Sequence, residues 1–139
     1  MINTGKNLDL AILNLKKDNI VVIPTETVYG LGANALSKKA VSKVFKLKKR
    51  PQNDPLICHT NSIEKISQYV KKIPSKAKLL NDIYWPGPLT MLFEKKNIIP
   101  DITTSNLKTV GFRIPNSRIT LKLLEKLDFP IAAPSANMF

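Results

Sequence analysis

The sequence predicts an α/β fold, on three observations. Short apolar runs rich in β-branched residues alternate with stretches of helical periodicity, the pattern of a sheet flanked by helices. Polar-tipped segments follow several of those runs, where ligand sites of open α/β sheets form. A chain of 139 residues, 43% hydrophobic and 23% charged, suits one soluble globular domain over 1–139.

Each element has its own reason. Leu8, Ala11, Ile12 and Leu15 recur at helical spacing, and Asn7 is placed to cap them. The I-V-V-I run at 20–23, ended by Pro24, reads as a buried strand. A loop bearing Thr and Gly follows. Ser37 opens a second helix, with Ala40, Val41, Val44, Phe45 and Leu47 on one side. Residues 55–59 read as a short strand. Asn61-x-x-Glu64 has the form of a capping box and starts a third helix through Ile63, Ile66 and Val70. Ser75 caps a fourth, carrying Leu79, Leu80 and Ile83. The W-P-G-P at 85–88 is a turn, because two prolines and a glycine do not fit a helix interior. Strands are expected at 89–93 and 109–114, a helix at 119–127 and a last strand at 131–133.

Composition narrows the function. No apolar run is long enough to span a membrane, and the first eight residues lack a signal peptide's apolar stretch. Cys58 is the only cysteine, so an internal disulfide or thiolate metal cluster is not expected. The default setting is cytoplasmic. There is no G-x-G-x-x-G and no G-K-[ST], so neither a dinucleotide fingerprint nor a P-loop is present. The net charge of +12, from 22 Lys and Arg against 10 Asp and Glu, attracts phosphate, in nucleotides or nucleic acid. The many Lys, Asn and Ile residues are also what a lysine-rich, AT-biased composition gives.

Four segments carry candidate chemistry. In P-T-E-T-V-Y-G-L-G at 24–32, the Thr25, Thr27 and Tyr29 hydroxyls can meet a polar ligand. Gly30 and Gly32 allow close approach or positive φ; a polar β-to-α turn has the same composition. Lys46, Lys48, Lys49 and Arg50 end a helix, where cations complement the dipole, but Lys48 and Arg50 could equally bind phosphate. Arg113 interrupts an apolar strand. It either faces solvent or pairs with a carboxylate; none is near in sequence, so a ligand carboxylate is attractive. Ser135 and Asn137 follow small residues and offer donors and acceptors, or else cap a helix. His59, the only histidine, is a structural side chain or a ligand contact; alone it makes no metal site.

Taken in order, these motifs resemble the YrdC-type threonylcarbamoyl-adenylate synthase family. The likeness runs through P-T-E-T-V-Y-G-L-G, K-x-R-P at 48–51, P-L-I-x-H at 55–59, W-P-G-P-L-T at 85–90, T-V-G-F-R-I-P at 109–115 and P-S-A-N at 134–137. It implies a twisted, mostly parallel or mixed sheet with flanking helices around a basic cavity. It implies synthesis of threonylcarbamoyl-AMP and pyrophosphate from L-threonine, bicarbonate or CO2, and ATP. The product supplies the threonylcarbamoyl group of the modified adenosine beside the tRNA anticodon. By motif, Thr27, His59, Arg113 and Ser135 would contact threonine, with Arg113 on its carboxylate. Lys48, Arg50, Thr109 and Asn137 would contact ATP, Lys48 and Arg50 being the catalytic cations. Asp54, where many members have Asn, would also lie near the nucleotide. Mg2+ would accompany ATP, with no protein metal site. tRNA or double-stranded RNA and the downstream transferase proteins are the macromolecular partners implied. Members continue past P-S-A-N with S-G, so a domain over 1–139 is expected to be incomplete at its C-terminus. An RNA-binding module, or a fragment without stand-alone catalysis, is the alternative.

Overall fold

A computed structural model describes residues 7–137. Helix α1 (Leu8–Lys16) starts at Asn7, whose Oδ1 accepts the Leu10 N–H at 3.1 Å. β1 (Val21–Ile23) and β2 (Gly30–Asn34) then form an antiparallel pair joined by the loop 24–29. α2 (Lys38–Lys48) is capped by Ser37 and ends at Lys49, which takes the left-handed conformation. β3 (Ile57–His59), the single turn α3 (Ile63–Ile66) and α4 (Ser75–Tyr84) follow. β4 (Met91–Glu94), β5 (Thr109–Arg113), α5 (Arg118–Glu125) and β6 (Ile131–Ala132) complete the described chain.

The strands form one mixed sheet in the order β1-β2-β6-β3-β5-β4. The expected sheet with flanking helices is found, but its parallel part is smaller than expected. Only β3 and β5 run parallel; the other four pairings are antiparallel. The loop 24–29 is too short for a crossover, which forces β1 and β2 antiparallel. β6 arrives last and inserts between β2 and β3, antiparallel to both.

Each face of the sheet has its own core, because successive strand residues point to opposite sides. Leu31, Ala33, Cys58, Val110, Phe112 and Ala132 pack with Ala40, Val41, Val44 and Phe45 of α2. Phe112 is fully buried, and its ring lies 6.3 Å from those of Tyr69 and Phe93. Burying such a ring is worth about 2–3 kcal/mol. The opposite face places Val21, Ile23 and Ile131 against Ala11 and Leu15 of α1 and Leu123 and Leu124 of α5.

Several details differ from the expectation. Gly30 and Gly32 are strand residues, and neither has positive φ. A Cβ on Gly32 would sit 2.8 Å from Ile131 Cγ2 and 3.1 Å from the Val21 carbonyl, so this glycine serves close strand packing. Leu47 is half exposed, while Lys48 is buried in its place. The buried stripe of α2 runs 40, 41, 44, 45, 48, and position 47 falls off it. The third helix is capped by Ser62, not Asn61, and stops at Ile66; Val70 bridges Lys95 instead. Ser75 is the first residue of α4, and Pro74 stands at the cap. Leu79 and Ile83 of α4 are exposed. The reading that the chain is incomplete beyond Asn137 concerns positions outside the described residues.

Candidate functional site

Strand register builds the site. The β3–β5 pairing sets Ile57 beside Gly111 and His59 beside Arg113, and the β3–β6 pairing sets His59 opposite Ile131. Alternation sends these residues to the face that α1 and α5 cover only in part. Beyond β6 the chain stays extended: Ser135 bridges Gly30, the Leu31 N–H donates to the Pro134 carbonyl at 2.9 Å, and the Ala136 N–H donates to the Tyr29 carbonyl at 2.7 Å. A cavity of about 230 Å³ results, lined by Thr25, Thr27, Tyr29, Gly30, Arg50, Ile57, His59, Arg113, Pro134 and Ser135 among others. The site therefore lies on a sheet face. Its polar lining nevertheless follows strand ends as expected: Thr25 and Thr27 come just after β1, Ser135 after β6, and His59 and Arg113 are the last residues of β3 and β5.

Arg113 has a protein partner that local sequence did not reveal. Its Nη2 pairs with Glu26 Oε1 and lies 3.2 Å from the Thr27 hydroxyl, while its Nε donates to the Gly87 carbonyl at 3.4 Å. The second Glu26 oxygen accepts the Asn116 N–H at 2.6 Å. Both side chains are shielded, at 14% and 18% exposure. Burial alone would raise the Glu26 carboxyl. Hydrogen bonds from Arg113 and from the Glu26 and Asn116 amides, with the Arg113 charge, more than offset this and hold it below its ordinary value.

Loop 24–29 is tied at its start, where the Thr120 hydroxyl donates to the Pro24 carbonyl at 2.5 Å. The Thr25 hydroxyl turns inward: it accepts the Val28 N–H at 3.1 Å and donates to the Val28 carbonyl. It staples the loop and at the same time lines the cavity.

His59 is buried, and burial lowers its pKa to about 4; the Ile131 carbonyl hydrogen bond and Glu26 oppose this, while Arg113 adds to it. The ring is therefore neutral near pH 7. Its Nδ1, 3.2 Å from the Ile131 carbonyl, must carry the proton, which leaves Nε2 as a bare acceptor.

Arg50 is fixed by the segment that follows it. Its Nε donates to the Asp54 carbonyl at 2.9 Å, and its Nη2 donates to the Pro55 carbonyl at 2.8 Å and pairs with Asp54 Oδ1 at 3.0 Å. Asp54 is thus a partner of Arg50 and not a lining residue. Lys48 is buried and donates from Nζ to the Asn137 carbonyl, which brings those two predicted residues together just outside the lining. Thr109 is not brought to the site. It is exposed at the start of β5, about 13 Å along the strand from Arg113. Its pairing with Glu94 places it at the far end of the sheet.

The family model for Sua5/YciO/YrdC, described as "telomere recombination", matches residues 14–139. The chain belongs to this family. Among Sua5/YciO/YrdC relatives, the threonylcarbamoyl-AMP synthase of Pyrococcus abyssi is 47% identical over 124 residues, covering 89% of this chain and 36% of that protein. The threonylcarbamoyl-AMP synthase of Bacillus subtilis is 42% identical over 125 residues, with the same shares. The crystal structure of P. abyssi Sua5 complexed with L-threonine matches with a TM-score of 0.92 at 42% identity, over 99% of this chain and 42% of that one. The chain thus spans little more than a third of the length of the first two relatives.

Proposed function

We propose that this chain carries the threonine- and nucleotide-binding face of a threonylcarbamoyl-AMP synthase. The observation that carries this reading is the convergence of Thr27, His59, Arg113 and Ser135 on one cavity whose guanidinium already holds a carboxylate. The cavity, about 230 Å³, is below the ~300–1,000 Å³ typical of drug-sized ligands, so it suits an amino acid better than ATP. Arg113 would take the threonine carboxylate and the bare Nε2 of His59 would accept from its hydroxyl or amine. ATP would lie at the rim, toward Arg50, Lys48 and Asn137.

The chemistry asks for no nucleophilic side chain. The threonine amine adds to CO2 to give a carbamate, a carbamate oxygen attacks the α-phosphorus of ATP, and pyrophosphate leaves. Two anions must meet, and Lys48 and Arg50 would offset their repulsion and hold charge on the phosphate oxygens. Among the described residues no three His, Cys, Asp or Glu side chains group to hold a metal, so Mg2+ would arrive on the triphosphate, held by phosphate and water.

The test is pyrophosphate release from ATP by the 139-residue chain, with and without L-threonine and bicarbonate. Release that depends on threonine supports the reading; a folded chain that neither turns over nor binds threonine overturns it. The charge of +12 favours a second reading, RNA binding, which would show as affinity that falls steeply with salt and ignores threonine.

A further inference from the structure

Glu26 makes two contacts that a bound amino acid would need. One carboxylate oxygen meets the Arg113 guanidinium and the other accepts a backbone N–H, that of Asn116 at 2.6 Å. These are a cation and an amide, the donor set that recognises a small carboxylate. The carboxylate is also shielded, at 18% exposure, and stands behind the lining, reaching the cavity through its partner Arg113, which does line it. We propose that Glu26 is an internal competitor for the substrate's carboxylate, and so sets the affinity of this site for it.

The argument rests on the reading that Arg113 takes the threonine carboxylate. A buried guanidinium without a counter-anion is costly, so Arg113 stays paired in both states. In the structure Glu26 is its partner. With substrate present, one carboxylate replaces another. Only ligands that bring an anion can make that exchange; a neutral analogue such as L-threoninol would strand Arg113 or leave it on Glu26. The loop supports such an exchange. It is held at 24 by Thr120 and at 29 by Ala136, so the Glu26 side chain can swing out while both ends stay fixed. Apparent affinity for threonine is reduced by the fraction of chains in which Glu26 occupies Arg113.

Isothermal titration of L-threonine into the wild-type chain and Glu26→Gln is the test. The expected result is binding by both, about tenfold tighter in Glu26→Gln if Glu26 occupies Arg113 in nine chains of ten. L-Threoninol should bind neither. Wild-type binding with equal or weaker binding in Glu26→Gln overturns the proposal and leaves the function standing. No binding to either chain overturns the function, and this inference with it. If Glu26→Gln does not fold, carbon-13 NMR titration of the wild-type Glu26 carboxyl decides. Its midpoint should rise toward the ordinary carboxylate value when threonine saturates the site; an unmoved midpoint overturns the proposal.

Discussion

Arg50 and Arg113 bring the same guanidinium to the same cavity but are held in opposite ways. Arg50 is fixed by the chain that immediately follows it, through two backbone carbonyls and the Asp54 carboxylate four residues on. Arg113, at the end of β5, is balanced by Glu26, which is 87 residues away in sequence and stands on the loop between β1 and β2. The Asp54 side chain is 52% exposed and that of Glu26 18%. One cation is thus set in backbone, the other in an exchangeable side-chain pair. The first arrangement suits a group that must point one way at a phosphate; the second suits a group that must change partners.

Arg113→Ala should show the largest effect. It removes the cation and leaves Glu26 shielded and unpaired, so threonine affinity should fall about 100- to 1,000-fold. Arg50→Ala should lower ATP affinity and leave threonine affinity within about threefold. Equal losses of threonine binding in the two variants, measured by calorimetry, would erase the distinction between the two cations.

Acid should act next, through His59 beside Arg113. Burial holds its pKa at about 4 against an ordinary 6.5. The fold favours the neutral ring, so its contribution is complete above pH 6.5 and is lost as pH falls toward 4. A fall from 6.5 to about 4 corresponds to about 3 kcal/mol. Melting temperature should begin to drop near pH 6.5 in the wild type and stay flat down to about pH 5 in His59→Gln. The lowered Glu26 carboxyl works further down. Its contribution is present above its ordinary 4.5 and is lost only as pH falls through its lower folded value. Coincident losses at pH 6 in the wild type and His59→Gln would assign the acid response elsewhere.

The smallest effect belongs to Asp54→Asn. An exposed pair contributes about 0–1 kcal/mol, and the two carbonyls still hold Arg50. Stability and ATP affinity should change by less than about threefold; a tenfold loss of ATP affinity would make Asp54 itself a nucleotide contact.

Local chemistry was legible in the sequence and long-range chemistry was not. Asn7 and Ser37 cap the helices they were expected to cap, because capping needs only residues three apart, and the caps expected at Asn61 and Ser75 fall one residue away, at Ser62 and Pro74. The strands at Ile57–His59, Thr109–Arg113 and Ile131–Ala132 fell within the expected runs. β2 was missed, because two glycines and a Thr-rich lead-in look like a loop until β1 and β6 pair with it. The Glu26–Arg113 pair was invisible for the same reason: strand order, not spacing, brings the two together. Thr109 lies outside the cavity lining because it opens β5 while Arg113 closes it, and motif order does not say which end of a strand faces a cavity. Leu79 and Ile83 kept their helical spacing but lie away from the core, since period alone does not fix which stripe is covered.

Cys58 sits at the centre of the sheet, paired with Ala132 on one side and Phe112 on the other, and burial pushes its thiol up to about 12. A thiol that is both enclosed and protonated does not react with an alkylating reagent. Modification at Cys58 therefore has to wait until the core between the sheet and α2 opens. The protein carries its own clock: the labelling rate at this one sulfur, with no engineered probe, times the opening of the core beneath the sheet on which the cavity is built, and a bound ligand should slow it.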